Sequence, residues 1–411
     1  MSTEHCLSFF IVDDDPNLVE LVSVILQAAG HKVASSLSSV EALERIEAQK
    51  PDVVIADIML PEMDGFQLCK RVKSNPDLSA TQVVMLSAKA YDFDKAYATK
   101  MGADGYIVKP FNPETLADEM MAIVSSGMTV RYWGVRGTLP VPGEDTLRYG
   151  GNTSCVSIEV PNKPMLIFDA GTGIKKLSDY IFENVKGKIT AKVFISHPHW
   201  DHINALPFFG PMYVPGNEFE ILGTRHGDTS MRELISAQMD GIYFPITIRE
   251  FGARVYFRDL GEETLQVNGM TVKTMLLNHP GNCLGYRVEL AGKVVCYITD
   301  HELFLDDNPM YNPGYVDHLI AFCHGADILI TDTTYADEDY PSKVTWGHSS
   351  VGQVVGLAHR AEVKTLHLFH HDPDQDDSAI DAKLSQAQRK LDQLGSSTKV
   401  AAPAEGDSIS L

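Results

Sequence analysis

The residues with the most distinctive spacing lie between positions 197 and 202. The string ISHPHWDHI places His197, His199, Asp201 and His202 directly after an apolar run, KVFIS. Imidazole and carboxylate groups at H-x-H-x-D-H spacing can serve two metal ions, because successive residues on a sharp turn point to different sides. Histidines and an aspartate this close together have no ordinary use in packing. The pattern therefore predicts a dinuclear metal centre.

Further ligands are expected where other apolar runs end in turns. The candidates are His279 in MLLNHPGN, Asp300 in VVCYITDHE and His370 in TLHLFHHDP. Their neighbours His301 and His371 remain open as alternatives. We interpret the other histidines outside turns as structural, namely His226, His318, His359 and His367.

His348 lies in a Gly-His-Ser-Ser turn before an apparent helix. A histidine titrates near neutral pH, so it can protonate or stabilise a departing alkoxide as a general acid. The alternative is that His348 only helps to begin the helix at Ser349 and Ser350.

A second set of reactive side chains follows the strands of the N-terminal segment: Asp13 and Asp14 after FFIV, Asp57 after VVIA, Ser87 in VVMLS and Lys109 in YIVK. The carboxyl ends of neighbouring parallel strands converge on one crevice, so these groups should meet. Clustered carboxylates are unfavourable without a cation, and Mg²⁺ prefers such oxygen ligands. Asp57 could then attack a phosphoryl donor, with Ser87 and Lys109 holding the phosphoryl oxygens. Alternatively, each acid only caps the following helix.

The elements that carry these groups change in character near residues 125–130. Before that point, the strands LSFFIVD, VVIAD, VVMLSA and GYIVK alternate with helices over 16–29, 65–74, 93–101 and 113–125. This alternation predicts a parallel sheet covered on both faces. After SSG at 125–127, the chain turns to Gly-rich turns and β-branched strands such as NTSCVSIEV. We expect domains over 1–127 and 128–411, joined by a short link.

The N-terminal segment resembles the response-regulator receiver domain over residues 5–126. The matching residues are Asp13, Asp14, Asp57 in DIMLPEMDG, Ser87, Tyr106 and Lys109-Pro110. The resemblance implies a flavodoxin-like doubly wound α/β fold with Asp57 as phospho-acceptor, a cis Lys109-Pro110 bond, and a sensor histidine kinase as partner. Mg²⁺ would be organised by Asp13, Asp14, Asp57 and the backbone carbonyl of Met59. Ser87 and Tyr106 would form the phosphorylation switch pair, with Lys109 beside the phosphoryl group.

The remaining sequence resembles the metallo-β-lactamase superfamily over residues 129–400, an αββα sandwich. VRYWGVRGTLPVPG, YGGNTSC and IFDAGTGI look like its phosphodiesterase branch, which includes RNase Z and the class II cyclic-nucleotide phosphodiesterases. The resemblance implies that one metal takes His197, His199 and His279, the other takes Asp201, His202 and His370, and Asp300 bridges them. Zinc is the default metal, with manganese or iron as alternatives. Asp201 would position the nucleophile. His348, in a turn similar to the His-Ser-Thr turn of RNase Z-like enzymes, would assist the leaving group.

Together these patterns predict a two-component response regulator in which phosphorylation of Asp57 controls a dinuclear metal-dependent phosphodiesterase. Two metals at such a site would activate water for attack on phosphorus. The alternatives are a lactonase or thioesterase of the same fold, or a di-iron sensing or interaction module without hydrolysis. The segment RELISAQMDGIYFPITIREF could cap the site or form a homodimer face. It does not resemble the Gly- and Pro-rich basic arm of RNase Z, which favours a small phosphodiester such as a cyclic nucleotide.

Charge and composition narrow the class of partner. The 411 residues carry a formal charge of −21, with −9 over residues 1–127 and −12 over 128–411, which argues against gripping a nucleic-acid polymer. No run approaches the roughly 20 apolar residues of a membrane span. The N-terminus lacks the basic region of a secretory signal. The cysteines show no C-x-x-C spacing and are expected to be reduced. We therefore expect a cytoplasmic protein without a membrane partner.

Overall fold

A computed structural model describes residues 6–78, 81–88, 94, 97–98, 100–124, 127–161, 163–242 and 244–411. Residues 93, 95, 96 and 99 of the helix predicted over 93–101 lie outside the described residues, as do Ser125 and Ser126 of the predicted link. Within the described residues, no helix has the length and apolar character needed to cross a membrane.

The N-terminal sheet is parallel throughout and is covered on both faces. Its strands are β1 (Ser8–Val12), β2 (Lys32–Ser36), β3 (Val53–Asp57), β4 (Gln82–Ser87) and β5 (Gly105–Val108). The described helices of this segment are α1 (Pro16–Ala28), α2 (Ser39–Gln49), α3 (Gly65–Ser74) and α4 (Leu116–Val124). The strand order is β2-β1-β3-β4-β5, and separate apolar cores lie on the two faces. The predicted doubly wound receiver fold is confirmed.

Two details of this sheet differ from the sequence prediction. Strand β2 and helix α2 were not predicted, because KVASS is only weakly apolar and gives no clear strand signal. Helix α4 begins at Leu116 and not at residue 113. The side chain of Asn112 accepts a hydrogen bond from the Glu114 amide, and its carbonyl accepts from Thr115 and Leu116, so residues 113–115 form a turn.

The larger C-terminal part contains two seven-stranded sheets. The first is built from β6 (Thr129–Gly134), β7 (Cys155–Glu159), β8 (Met165–Phe168), β9 (Thr190–Ile195), β10 (Glu218–Thr224), β11 (Arg254–Leu260) and β19 (Ser408–Ser410). The second is built from β12 (Thr264–Val267), β13 (Met270–Leu277), β14 (Cys283–Leu290), β15 (Lys293–Ile298), β16 (Ile328–Asp332), β17 (Thr365–Phe369) and β18 (Lys399–Ala401). The strand orders are β11-β10-β9-β8-β7-β6-β19 and β12-β13-β14-β15-β16-β17-β18.

These sheets pack face to face with helices on the outside. The helices are α5 (Ile174–Asn184), α6 (Trp200–Ile203), α7 (Met231–Gln238), α8 (Pro313–Cys323), α9 (Val351–Arg360) and α10 (Asp377–Gln393). One apolar core lies between the sheets and draws residues from both, including Phe168, Phe194 and Tyr297. One further core lies between each sheet and its outer helices. The predicted αββα sandwich is confirmed.

The two parts meet at an ion pair. Lys163, in the turn between β7 and β8, donates to Asp104 Oδ1 at 3.2 Å, just before β5. Asp104 Oδ2 also contacts Lys73 at 2.6 Å. The division at residues 127 and 128 stays a prediction.

Candidate functional site

The residues of the H-x-H-x-D-H string lie where the end of a strand passes into the start of a helix. His197 comes just after β9, and His199 has an extended backbone (φ −64°, ψ 150°) as the residue that caps α6. Asp201 and His202 lie in the first turn of α6. The change from extended to helical backbone points the side chains in different directions, so one short string can supply two groups of donors.

The structure brings the predicted ligands together in two groups that share one aspartate. The donor atoms within each group lie within 4.8 Å of one another, and the groups are His197, His199, His279 and Asp300, and Asp201, His202, Asp300 and His370. A third, overlapping group contains Asp300, Asp332, His348 and His370. All the metal ligands predicted for this part of the chain therefore converge, while their roles stay predictions.

Asp300 directs its two carboxylate oxygens to different histidines. Oδ1 lies 3.1 Å from His370 Nε2 and 3.3 Å from His202 Nε2. Oδ2 is nearer to the other group, 3.6 Å from His197 Nε2 and 3.9 Å from His279 Nε2. A carboxylate in this position can serve both donor groups, as a bridging ligand requires.

Hydrogen bonds outside the site fix which nitrogen of each imidazole faces inward. His279 Nδ1 lies 2.8 Å from the carbonyl oxygen of Gly347, which can only accept, so Nδ1 carries the proton and Nε2 faces Asp300. His202 Nδ1 lies 2.7 Å from Asp169 Oδ2 and donates to it for the same reason. Such partners set the tautomer of ligand histidines. Both imidazoles therefore direct Nε2, the nitrogen that can bind a cation, into the site.

Asp169 is a residue of the site that the sequence prediction missed. It is fully buried just after β8 and also accepts hydrogen bonds from the Ser196 amide (2.7 Å), the Ser196 hydroxyl (2.9 Å) and Tyr297 (2.8 Å). Its backbone has a positive φ of 60°. A signal was present, because IFDAGTGI ends an apolar strand with an acid, as VVIAD does at Asp57.

Asp201 is held by the loop after β6. The Thr138 amide donates to Asp201 Oδ2 at 2.8 Å, and the same oxygen lies 3.1 Å from His202 Nε2 and 3.2 Å from His370 Nε2. The neighbouring Gly137 has no room for a side chain, since a Cβ there would lie 2.1 Å from the His370 ring. This close approach explains the glycine in the VRGT string.

His348 forms a pair with Asp332, a second acid that the sequence prediction did not single out. His348 Nδ1 donates to Asp332 Oδ2 at 2.8 Å, and Asp332 is fully buried at the end of β16. Asp332 also accepts hydrogen bonds from Thr334 through its amide (2.9 Å) and hydroxyl (2.6 Å), which fix its position. Burial lowers the pKa of His348, but Asp332 outweighs that effect and raises it to about 9. His348 is therefore poised as an imidazolium.

The electrostatics of three ligand residues favour the protonation states that bind metal. His202 differs, because burial lowers its pKa but Asp201, Asp300 and Asp169 raise it well above its usual value. Burial lowers the pKa of His197 and of His279, which keeps these imidazoles neutral. Burial raises the pKa of Asp300, but the neighbouring histidines, His370 foremost, lower it well below its usual value. A neutral imidazole and an ionised carboxylate are the forms that act as ligands.

The alternative ligands take other positions. The rings of His301 and His371 are buried, and neither nitrogen of either ring has a hydrogen-bond partner among the described residues. Neither belongs to the donor groups found there, whereas His370 does. Of the histidines interpreted as structural, His367 is buried in β17 and hydrogen bonds Tyr132, while His226 contacts the carbonyl of Gly281 near the site at 3.3 Å.

The donor groups open into one small cavity of about 290 Å³. Its lining includes ligand residues together with His348, Thr138, Pro280 and Trp346. Convergent nitrogen and oxygen donors of this kind suit zinc, iron or manganese. The residues present therefore fit two divalent cations that share Asp300.

The predicted residues of the receiver also meet at one end of its sheet. Lys109 Nζ lies 2.7 Å from Asp13 Oδ2 and 2.7 Å from Asp57 Oδ1. The Met59 amide donates to Asp57 Oδ2 at 2.6 Å, and Asp14 is exposed beside Asp13. The Lys109-Pro110 bond is cis. The carboxylates of Asp13 and Asp57 fit the hard oxygen ligands of Mg²⁺.

The predicted switch pair is in contact. Ser87 is fully buried, and a hydrogen bond joins it to Tyr106 on β5. Burial, the largest effect, raises the pKa of Tyr106. Gly65 begins α3 next to this crevice, and a Cβ there would lie 2.1 Å from the Asp57 carbonyl oxygen, so only glycine fits.

Comparison with known proteins assigns both parts to families. The sequence matches the response regulator receiver domain over residues 9–121 and the beta-lactamase superfamily domain over residues 166–371. The chain therefore belongs to the beta-lactamase superfamily and carries a response-regulator receiver domain ahead of that domain. The predicted family resemblance is confirmed.

Individual relatives agree with this assignment. Protein PilG of Pseudomonas aeruginosa is 34% identical over 120 residues, which cover 29% of this chain and 89% of PilG. The alkaline phosphatase synthesis transcriptional regulatory protein PhoP of Bacillus subtilis is 35% identical over 114 residues, 28% of this chain and 47% of PhoP, so the chain spans about half of that relative. Among solved structures, the metallo-beta-lactamase fold protein YhfI of Bacillus subtilis shares the fold, with a TM-score of 0.51 and 18% identity over 70% of this chain and 100% of YhfI.

Proposed function

We propose that this chain is a two-component response regulator in which phosphorylation of Asp57 controls a dinuclear metal-dependent phosphodiesterase acting on a small phosphodiester such as a cyclic nucleotide. The observation that carries the proposal is the position of Asp300, whose two oxygens face separate donor groups 3.1–3.9 Å away, beside the His348–Asp332 pair. Zinc is the metal we expect, with manganese or iron as alternatives.

A bound metal centre would supply the nucleophile and neutralise charge. When bound, two divalent cations would lower the pKa of a water molecule and stabilise negative charge on phosphoryl oxygens. His197, His199 and His279 would hold one cation, Asp201, His202 and His370 the other, and Asp300 both. Asp201, held by the Thr138 amide, would orient the attacking group.

The leaving group needs a proton, and His348 can provide it. Asp332 accepts from Nδ1 and stabilises the imidazolium, which leaves the Nε2 proton for the departing oxygen. Although burial lowers the pKa of His348, Asp332 raises it to about 9 and so favours the protonated imidazole. General acids placed in this way typically raise rates by about 10²–10⁴.

The receiver would act as the input. A sensor histidine kinase would transfer a phosphoryl group to Asp57, and Lys109, already 2.7 Å from its carboxylate, would pair with the added charge. The Ser87–Tyr106 pair would respond to the new group. The output would be a shift in the balance between two arrangements of the chain.

The direct test uses the full-length protein with zinc or manganese bound. Hydrolysis of bis-p-nitrophenyl phosphate and of cyclic nucleotides is measured with and without acetyl phosphate and Mg²⁺, and Asp57→Asn is the matched control. We expect turnover that depends on the metal and changes with acetyl phosphate in wild type alone. No turnover with both metals bound would refute the phosphodiesterase. Equal responses of wild type and Asp57→Asn to acetyl phosphate would refute regulation by phosphorylation of Asp57.

One variant distinguishes a lactonase from a phosphodiesterase. His348→Ala should impair cleavage of phosphodiesters that have an alkoxide leaving group and leave metal content unchanged. A protein that opens lactones equally well with and without His348, and cleaves no phosphodiester, would be a lactonase.

A further inference from the structure

Trp346 is an exposed indole at the opening of the metal site. It is 58% exposed, yet it lines the same cavity of about 290 Å³ as His279 and His348. It lies two positions before His348 in the chain. A large apolar ring exposed in this way does not gain the favourable free energy of removing its surface from water. The position therefore suggests contact with a ligand.

The backbone on both sides of Trp346 is held in an unusual conformation. Thr345 has a φ of 75° and Gly347 a φ of 87°. A β-branched residue such as Thr345 rarely adopts a positive φ, and such strain persists only where the surroundings impose it. Gly347 must be glycine, because a Cβ there would lie 2.6 Å from His279 Nδ1. The turn that presents the indole is thus specified by its neighbours.

A buried carboxylate imposes this conformation. Glu302 is only 2% exposed and accepts hydrogen bonds from the amides of Thr345 and Gly347, each at 2.8 Å. Tyr340 donates to the same carboxylate at 2.9 Å. None of the three bonds involves the indole, so Glu302 fixes the turn without engaging the Trp346 side chain. The ring is therefore presented by a rigid support.

A cation accompanies the ring. Lys343 Nζ lies 4.1 Å from the centroid of the Trp346 ring. In a chain with a formal charge of −21, a positive charge beside a ring that lines the cavity favours an anionic ligand. The cavity is at the small end of the range for small-molecule sites, which fits a mononucleotide-sized ligand better than a polymer.

We propose that Trp346 is a specificity-determining residue that stacks against a planar aromatic group of the substrate, such as a nucleobase, while the phosphate lies at the metal centre. The inference rests on the proposed phosphodiesterase function. Indole rings stack on bases of every kind, so Trp346 would select for the presence of a base and not for its identity.

The test compares two substrates that differ only in the base, adenosine 3′,5′-cyclic phosphate and the cyclic phosphate of methyl riboside. For Trp346→Ala we expect kcat/KM to fall on the order of tenfold for the adenosine substrate and by less than about twofold for the riboside. Trp346→Phe should retain most of the preference. Phe182→Ala is the control, because Phe182 is similarly exposed at 57% on helix α5. Equal losses on both substrates, or none, would overturn the proposal while leaving the phosphodiesterase intact.

A binding measurement keeps the test decisive if neither compound is cleaved. Isothermal titration with adenosine 5′-phosphate and methyl riboside 5-phosphate then replaces kinetics, in the metal-loaded protein. Tighter binding of the adenosine compound that disappears in Trp346→Ala supports the stacking role, even though the proposed function has failed. Equal affinities in wild type and Trp346→Ala overturn it.

Discussion

Replacing Asp169 by asparagine should weaken metal binding without unfolding the protein. Asparagine tolerates the positive φ of 60° at this position, so the backbone need not change. The carboxylate accepts from His202, Tyr297 and Ser196 on Oδ2 and from the Ser196 amide on Oδ1. An amide group cannot satisfy all of these donors, because one of its two positions becomes a donor itself.

The two orientations of the new side chain have different costs. If the amide NH₂ faces His202, the imidazole must accept at Nδ1, which moves its proton to Nε2, the atom that faces Asp201 and Asp300. If the amide NH₂ instead faces the Ser196 amide, two hydrogen-bond donors face each other at a distance of 2.7 Å. Changes to such partners typically weaken metal binding about 10–100-fold, which corresponds to about 1.4–2.7 kcal/mol.

The assay is competition for zinc against a chelator of known affinity, with metal content measured after dialysis. Tyr297→Phe is the matched control, because it removes one donor to Asp169 Oδ2 and keeps the bond to His202. We expect Asp169→Asn to lose one metal before the other and Tyr297→Phe to retain both. Wild-type zinc affinity in folded Asp169→Asn would show that Asp169 does not set the protonation of His202.

Other parts of the site and its support give further predictions. His348→Ala should slow esters with an alkoxide leaving group by about 10²–10³ but affect p-nitrophenyl esters much less, since p-nitrophenolate needs no proton; equal losses of kcat would contradict a general acid. Glu302→Gln should lower the unfolding free energy by about 1–3 kcal/mol in denaturant titrations, because one of its amide partners loses its acceptor; unchanged stability would mean that the turn is fixed by other contacts. Burial lowers the pKa of Lys383 to about 7, whereas an unfolded lysine titrates near 10.4. The unfolded chain therefore binds more protons between these values, and the unfolding free energy of wild type relative to Lys383→Met should rise by up to about 1.4 kcal/mol per pH unit from pH 7 to 10; a difference independent of pH would show that Lys383 is charged when buried.

The sequence was most informative where chemistry and strand ends coincide. His197, His199, Asp201 and His202 fall within six consecutive positions, so their spacing alone indicated that they share a site. The convergence of His279, Asp300 and His370 needed the order of strands in the second sheet, which residue spacing does not give. The resemblance to a known family supplied that order, and the structure shows the same grouping.

The supporting acids were missed although the same rule would have found them. Asp169 and Asp332 each follow an apolar strand, IFD and ILITD, as Asp57 does in VVIAD. Their partners, His202 and His348, lie 33 and 16 positions away in the chain. Hydrogen bonds across such separations depend on tertiary packing, so local sequence patterns do not predict them. Glu302 was missed for the same reason, since its partners lie 38–45 positions away.

The anchoring of the 345–347 turn has a consequence for how this enzyme class could diversify. Glu302 accepts hydrogen bonds from the main-chain amides of Thr345 and Gly347. The Gly347 carbonyl in turn accepts from His279 Nδ1 at 2.8 Å. The side chain at position 346 takes part in none of these bonds. Under the role proposed for Trp346, mutation of this side chain would change which molecules are accepted, while His279 keeps its orientation. Selectivity and metal chemistry would then evolve almost independently, although three adjacent residues serve both.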